Sequence, residues 1–368
     1  MSADPGLAVR ALSVTFGRNH LLRGIDFDVA EGETLVLFGP SGVGKTVLLR
    51  AIAGLEPAAR GEVRVAGRDV SMRGPEARGI GMAFQNFALY PHMSARDNIA
   101  SPLRARGVSR AEIERRVGAV ADLLRIGHVL GHAPKELSNG QKQRTALARA
   151  LVGEPRVLLL DDPLRNVDAK LRYEMRLEFP RLLRTAGAAT LYVTQDYREA
   201  MALGDRVAIL LDGRIAQTAP PETVYEHPDS VAVARLFGDP PINLLPCRPT
   251  ESTGGVQVAA AGLRLTLPAA QHAIGRDCLL GLRPEAIAVH AAALPGAAPA
   301  QLNATTPLHE RLVVLLRAGG EEVVASVLGE VPVPGSAVWI SADPAQATLF
   351  DAGSGARIAA PAPVREAA

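Results

Sequence analysis

Short apolar runs that end in polar residues recur along the N-terminal part of the chain. In chain order these runs are residues 35–38, a second run that ends at Phe84, residues 157–160 and residues 190–194. Each has the length and composition of a strand that is buried on both faces, as in a parallel sheet. Apolar residues at helical spacing follow the first run. The pattern therefore predicts an α/β domain with a parallel sheet.

A long helical pattern separates the second run from the third. It extends from about residue 96 to residue 150. Ser138 has the position of an N-cap for its last helix, which is predicted to end near residue 151. Asp168 is predicted to cap a further helix, in which Pro180 is expected to cause a bend or a break.

The pattern changes after two proline-rich stretches, at residues 219–221 and 239–241. Helical periodicity fades there, and short alternating segments appear, such as residues 263–267 and 322–327. This pattern predicts a small all-β domain, in the form of a partly open barrel. We expect one domain over residues 1–238, with a helical subdomain at about 86–155, and a second over 239–368.

A glycine-rich loop directly follows the first apolar run and opens a helix. It consists of Gly39, Pro40, Ser41, Gly42, Val43, Gly44, Lys45 and Thr46, which reads G-x-x-x-x-G-K-T. Strand, loop and helix in this order are the context of a phosphate-binding loop, in which backbone N–H groups approach a polyphosphate. Lys45 can reach the outer phosphates, and the Thr46 hydroxyl can ligate Mg²⁺. The loop predicts binding of a nucleoside triphosphate.

Polar residues at the ends of the other runs are candidates for the same site. Gln85 follows the second run, Asp161 and Asp162 follow the third, and Gln195 follows the fourth. Ligands gather at the carboxyl ends of strands in open α/β sheets. Asp161 is expected to hold Mg²⁺, and the alternative is that it only caps a helix.

Two further positions have both a functional and a purely structural interpretation. Ser138 and Gly140, at a helix start, suit a second anion site, but Ser138 alone would be a plain N-cap. Phe16 could stack on an adenine ring, but alone it would be a core residue.

The composition excludes several classes of function. The 368 residues include 40 basic and 38 acidic side chains, for a formal net charge of +2, and aromatic residues make up 4%. Both values argue against nucleic acid as the partner. The two cysteines, Cys247 and Cys278, are too few for a disulfide framework or a metal site. No signal peptide or membrane-spanning run is seen, so we expect a cytoplasmic protein that reaches a membrane only through partners.

The spacing of these motifs identifies a family. The chain resembles the ATP-binding subunits of ABC transporters, and more closely those of bacterial importers for sugars and glycerol phosphate, including the maltose type. The resemblance covers nearly the whole chain. The matching segments are Phe16 for adenine stacking, residues 39–46 (Walker A), Gln85 (Q-loop), 137–141 (signature), 157–162 (Walker B) and 163–168 (D-loop). Residues 87–92, 281–285 and 349–351 match importer ATPases and their appended β-rich domain.

The resemblance implies a P-loop ABC ATPase domain with a helical subdomain, followed by a small all-β domain of the OB or TOBE type. Two such subunits bind ATP between the Walker A loop of one and the signature of the other. Their partners are two membrane-spanning permease subunits and an extracytoplasmic solute-binding protein, at the cytoplasmic face of the cell membrane. ATP contacts would come from Phe16, residues 39–46, Gln85, Ser138, Gly140 and Gln141. Mg²⁺ ligands would come from Thr46, Gln85 and Asp161, and the catalytic positions are Asp162 and Gln195.

The chain departs from the family pattern at four positions. Asn139 stands in place of the first signature glycine, and Asp162 stands in place of the catalytic glutamate. Gln195 replaces the switch histidine, and Arg165 replaces the D-loop serine. These changes predict a weakened hydrolytic site and favour a heterodimer with a standard ATPase subunit over a homodimer.

Other functions within and beyond this class stay open at this point. The solute is expected to be carbohydrate-like, but importers of polyamines, sulfate or iron carry a similar β-rich extension. A subunit that clamps ATP without hydrolysing it is a further alternative. A cytosolic ABC protein for translation or repair is disfavoured, because the chain has one Walker A loop and no sustained heptads.

Overall fold

The computed structural model of the protein describes residues 5–57, 59–253, 255–267, 271–308 and 310–358. Residues 1–4, at the start of the segment that lacks a signal-peptide pattern, and residues 359–368, at the end of the second predicted domain, lie outside this described part. The chain divides into two compact units between Glu222 and Thr223. The predicted domain boundary at residues 238/239 remains a prediction.

The first unit is built from two sheets with helices between their strands. Its strands are β1 (Leu7–Phe16), β2 (Asn19–Val29), β3 (Thr34–Phe38), β4 (Ala59–Val65), β5 (Arg68–Asp69), β6 (Ile80–Ala83), β7 (Val157–Asp161), β8 (Ala189–Thr194), β9 (Arg206–Leu211) and β10 (Arg214–Ala219). Its helices are α1 (Lys45–Ala53), α2 (Ala95–Ala105), α3 (Arg110–Leu123), α4 (Asn139–Leu151), α5 (Ala169–Ala186) and α6 (Tyr197–Leu203). Helix α7 (Pro221–Glu226) spans the division between the units.

The larger sheet is the predicted parallel sheet. Its six strands lie in the order β10-β9-β3-β8-β7-β6, and all neighbours are parallel except β10 and β9. Every residue of β3, β7 and β8 is buried, which explains why these strands read as continuous apolar runs. A smaller antiparallel sheet, β2-β1-β4-β5, shares a hydrophobic core with β3 and α1.

The helix caps follow the sequence closely. Ser138 caps α4, which ends at Leu151, and Asp168 caps α5 through the N–H group of Leu171. Helix α5 continues through Pro180, so of the bend or break predicted there the break does not occur. Proline removes a single N–H donor, and the buried residues Met175, Phe179 and Leu183 hold the helix against its neighbours on both sides of that position.

The second unit is dominated by β structure, as the sequence predicts. Its strands are β11 (Asn243–Cys247), β12 (Thr250–Ser252), β13 (Gly255–Ala260), β14 (Leu263–Leu267), β15 (Cys278–Leu282), β16 (Ile287–His290), β17 (Ala298–Leu308), β18 (Arg311–Ala318), β19 (Glu321–Leu328), β20 (Ala337–Ala342) and β21 (Ala347–Asp351), and α8 (Val231–Leu236) precedes them. They form three sheets, β11-β15-β21, β12-β13-β14 and β16-β20-β17-β18-β19, which share one apolar core.

The cysteines and the apolarity of the helices can be compared with the sequence over all described residues. Cys247 and Cys278 are both free thiols. None of the described helices combines the length and the apolarity that a bilayer-spanning segment requires.

Candidate functional site

Four neighbouring strands deliver the candidate residues to one edge of the parallel sheet. The glycine-rich loop follows β3, Gln195 follows β8, Asp161 and Asp162 lie at the end of β7, and Gln85 follows β6. Together they line an open cleft of about 350 Å³. The residues that line it are Leu21, Ser41, Gly42, Gly44, Lys45, Thr46, Val47, Gln85, Asp161, Asp162, Arg165, Val193 and Gln195.

The glycines of the loop are required by its backbone path. Gly44 has φ +108°, a left-handed conformation that side chains with a Cβ rarely adopt. A Cβ at Gly39 would lie 2.5 Å from the carbonyl oxygen of Leu210 on β9. The loop can therefore turn tightly between β3 and α1 only with glycine at these positions.

Lys45, the first residue of α1, extends back over the loop. Its Nζ donates hydrogen bonds to the carbonyl oxygens of Gly39 at 2.7 Å and Pro40 at 2.8 Å. Partial burial lowers the pKa of Lys45, and the carboxylates of Asp162 and Asp161 oppose this shift. The Lys45 ammonium group is thus held next to a loop whose N–H groups can bind phosphate.

Thr46 and Asp161 are brought together from different elements. The Thr46 hydroxyl donates a hydrogen bond to Asp161 Oδ1 at 3.0 Å. Burial raises the pKa of Asp161, although this hydrogen bond and Lys45 lower it. With Gln85 in the same cleft, the site offers hydroxyl, carboxylate and amide oxygens. Such hard oxygen donors fit Mg²⁺, which is held by few protein ligands beside phosphate oxygens.

Asp162 is held in a fixed and unusual conformation. Its φ is +44°, and its N–H group donates to the carbonyl oxygen of Val193 at 2.9 Å. Its carboxylate lies 3.6 Å from the Arg165 guanidinium. Burial raises the pKa of Asp162 to about 6, and the Arg165 charge opposes this shift. A carboxyl group with such a pKa is suited to accept a proton near neutral pH.

Gln195 contacts the glycine-rich loop directly. The Ser41 hydroxyl donates a hydrogen bond to Gln195 Oε1 at 2.5 Å. The residue after β8 is therefore coupled to the phosphate-binding loop through an amide, which carries no charge.

Several predicted residues do not line the cleft. Phe16 lies at the end of β1 with 46% of its surface exposed, so it is not a core residue. Ser138 is an exposed N-cap, and it forms a reciprocal capping box with Gln141. Gly140 is buried, and a Cβ added to it would collide with Leu171 on α5. Their contacts to nucleotide remain predictions.

Two residues in the loop after β7 contribute in ways that the sequence pattern does not reveal. Arg165 lines the cleft. Asn166 donates a hydrogen bond from Nδ2 to the carbonyl oxygen of Gln85 at 2.9 Å, and thereby joins this loop to the one after β6. Neither contact follows from periodicity, since both depend on how two loops meet in space.

Family models match three successive parts of the chain. The model described as "ABC transporter" matches residues 22–165, that of the "MalK OB fold domain" residues 238–287, and that of the "TOBE domain" residues 280–350. The first of these includes the loop, Gln85, Asp161 and Asp162, and the other two lie in the β-rich region.

Curated relatives are similar over nearly the whole length. The "sn-glycerol-3-phosphate import ATP-binding protein UgpC" of Cereibacter sphaeroides is 41% identical over 358 residues, which is 96% of this chain and 99% of the relative. That of Burkholderia thailandensis is 47% identical over 291 residues, 78% of this chain and 79% of the relative. A solved dimeric structure of the ATP-binding cassette MJ0796, in a post-hydrolysis state bound to ADP and Pi, aligns with a TM-score of 0.53 and 27% identity. It covers 58% of this chain and 98% of its own.

Proposed function

The chain belongs to the ABC transporter family of ATP-binding proteins, and we propose that it is the subunit that powers import of a carbohydrate-like solute, of the glycerol phosphate class. Its relatives are named as ATP-binding proteins of sn-glycerol-3-phosphate import. The ATPase domain carries a MalK-type OB fold and a TOBE domain behind it. This arrangement supports an importer subunit rather than a free-standing ATPase.

The observation that carries the proposal is the composition of the cleft. A phosphate-binding loop, its lysine, an adjacent hydroxyl–carboxylate pair and a second carboxylate converge from neighbouring strands. The loop and Lys45 bind the phosphates, because charge-assisted hydrogen bonds to phosphate are the strong ones. Asp162 is the group that can accept a proton from an attacking water.

Thr46, Asp161 and Gln85 would hold the magnesium ion of the nucleotide. When bound there, Mg²⁺ neutralises charge on the phosphate oxygens. The Thr46 hydroxyl is oriented for this by its hydrogen bond to Asp161. Gln85 is held by its backbone contact to Asn166, so its position responds to the loop after β7.

A groove beside Gln85 offers a docking place for a membrane-spanning partner. It has a volume of about 780 Å³, and Phe84, Tyr90, Ser101 and Arg149 are among its lining residues. Arg149 donates to the carbonyl oxygens of Ala88 and Phe87 and lies 5.6 Å from the centre of the Tyr90 ring. Because the groove includes the end of β6 and the residues around Gln85, a change at the cleft can reach it. We propose that a permease subunit binds here, so that the two ATPase subunits of the assembly bind two permease subunits at the cytoplasmic face of the membrane, and that an extracytoplasmic binding protein supplies the solute.

ATP binding should depend on Lys45. We expect Lys45→Ala to weaken binding of a fluorescent ATP analogue at least tenfold, because a charged hydrogen bond to phosphate contributes about 1.5–3 kcal/mol. Lys135→Ala is the matched control, since Lys135 is exposed and lies outside the cleft. Equal affinity in the Lys45 variant and the control would refute the assignment of the site.

Transport can be separated from ATP binding at the groove. Ser101→Arg places a long charged side chain in the groove, whereas Ala111→Arg places one on an exposed position of α3. In proteoliposomes with the cognate permease and binding protein, we expect only the first variant to lose ATP-driven uptake of labelled sn-glycerol 3-phosphate. Both should bind ATP normally. Uptake of a polyamine, sulfate or iron instead would correct the solute class.

A further inference from the structure

Arg165 is the one cation of the cleft whose side chain has no hydrogen bond within the described residues. Its contact with Asp162 spans 3.6 Å, which is longer than a hydrogen bond, and 47% of its side chain is exposed. Lys45, by contrast, donates to two carbonyl oxygens. The donors of the Arg165 guanidinium are therefore available to a ligand in the cleft.

The backbone on both sides of Arg165 is fixed, so its side chain starts from a defined place. Asn166 is bonded to the loop of Gln85 at 2.9 Å, and Arg172 donates to the carbonyl oxygen of Val167 at 3.0 Å. The Arg165 N–H group closes a turn onto the carbonyl oxygen of Asp162. Only the long side chain is free to move between Asp162 and other groups in the cleft.

The charges around the cleft favour such a movement when phosphate is present. Arg165 and Lys45 face Asp161 and Asp162, so the four described charges balance. A nucleoside triphosphate adds negative charge at the loop, and a guanidinium matches a phosphate with two parallel hydrogen bonds. The contact with Asp162 is weak by comparison, because at 3.6 Å it includes no hydrogen bond and the guanidinium is half exposed.

We propose that Arg165 is a phosphate-contacting residue, which leaves Asp162 and donates to the outermost phosphate of the bound nucleoside triphosphate. This rests on the proposed function of the cleft. The exchange has two consequences. The chain discriminates ATP from ADP through a contact that only the triphosphate can make, and the carboxylate of Asp162 is released from its cation when the substrate is in place.

The test is the difference between two affinities in the full-length chain. Binding of ATP and of ADP, each with Mg²⁺, is measured by calorimetry for the unaltered chain and for Arg165→Ala, Arg165→Lys and Arg181→Ala. Arg181 is exposed on α5 and does not line the cleft, so it controls for loss of surface charge. Protein concentrations are kept where light scattering shows no dimer, so that each site is completed by its own chain.

We expect Arg165→Ala to weaken ATP binding about tenfold and to change ADP binding less than twofold, with Arg165→Lys between them and Arg181→Ala unchanged. Equal loss of both nucleotides, or no loss of either, would overturn the role of Arg165. Failure of the whole proposed function is a different result, since the unaltered chain would then bind neither nucleotide. The two failures are thus distinguishable in one experiment.

Discussion

At the scale of single residues, a buried carboxyl group on α6 accepts hydrogen bonds from the strand that precedes Gln195. Glu199 is 2% exposed, and its Oε2 accepts hydrogen bonds from the Tyr192 and Thr194 hydroxyls at 2.9 Å each. Thr194 in turn accepts a hydrogen bond from the N–H group of Asp196. Burial raises the pKa of Glu199 to about 7, and these hydrogen bonds oppose the shift.

This group predicts a pH dependence of stability. Because the pKa is about 7 in the fold and near 4.5 when unfolded, the protonated group favours the folded state. The contribution of Glu199 to the free energy of unfolding is fully present below pH 4.5. It is lost as the pH rises through 7, and the loss amounts to at most about 3 kcal/mol. We expect Glu199→Gln to remove this loss, so that the free energy of unfolding in urea falls less between pH 5 and 8 than in the unaltered chain. A parallel pH profile in both proteins would contradict this.

At the scale of elements, the start of α4 is set by its packing against α5. A Cβ on Gly140 would lie 2.2 Å from Leu171 Cδ2, whereas one on Gly118, within α3, would meet nothing within 4 Å. The second glycine of the signature therefore has a packing role in addition to any contact with nucleotide. Ser138 and Asn139, which precede it, are exposed.

The two glycines form a matched pair for mutation. We expect Gly140→Ala to destabilise the chain by about 1–3 kcal/mol through overpacking, and Gly118→Ala to stabilise it by up to about 1 kcal/mol through helix propensity. Chemical denaturation measures both. Adding Leu171→Ala to Gly140→Ala should recover part of the loss, since it removes the atom that the new Cβ meets. Destabilisation of equal size at both glycines would show that packing on α5 is not the cause.

The same elements show what could be predicted from the sequence. The apolar runs, the glycine-rich loop and the caps Ser138 and Asp168 are local signals, and the structure confirms the sheet, the loop and the helices that they predict. The uninterrupted helix at Pro180 depends on tertiary packing, which local propensity does not contain. The place of Arg165 in the cleft depends on a loop path that no periodicity encodes.

At the scale of the whole molecule, the first residues of the second unit raise a question about where the ATPase domain ends. Phe237 is fully buried, and Arg283 donates to the carbonyl oxygens of Ala234 at 3.0 Å and Tyr225 at 2.7 Å. These contacts lie within the second unit, which begins at Thr223. The segment before residue 238 is therefore held by groups that the predicted boundary removes.

Truncation tests this division. We expect a chain that ends at Gly238 to fold and bind ATP, because the loop, the cleft and the core of the first unit are retained. It should self-associate more than a chain that ends at Glu222, since α8 then exposes apolar residues without Arg283. Circular dichroism, ATP titration and light scattering measure these properties. An unfolded product in both cases would show that the first unit does not fold alone.

We propose that this chain pairs with a standard ATPase subunit, and the argument is the geometry of its proton acceptor. Asp162 is one methylene shorter than a glutamate, and its backbone is held by the hydrogen bond to Val193, so it cannot shift to make up the difference. A displacement of about 1 Å can reduce a rate about 10²-fold. Gln195, which accepts from Ser41, cannot carry a positive charge. Binding is affected less, because the loop, Thr46 and Asp161 are intact. Such a chain would bind ATP and hydrolyse it slowly, and a standard partner subunit would supply the faster site.

We therefore predict that the purified chain alone hydrolyses ATP slowly, and that Asp162→Glu combined with Gln195→His raises its turnover at least tenfold. General-base catalysis typically contributes 10²–10⁴-fold, so restoring the position of the base can recover much of that factor. Asp162→Asn is the control, because it removes the base while keeping nearly the same shape, and it should bind ATP without turnover. Turnover of several per second in the unaltered chain, abolished by Asp162→Asn, would instead show that Asp162 serves as an efficient base and that a dimer of two identical chains is sufficient.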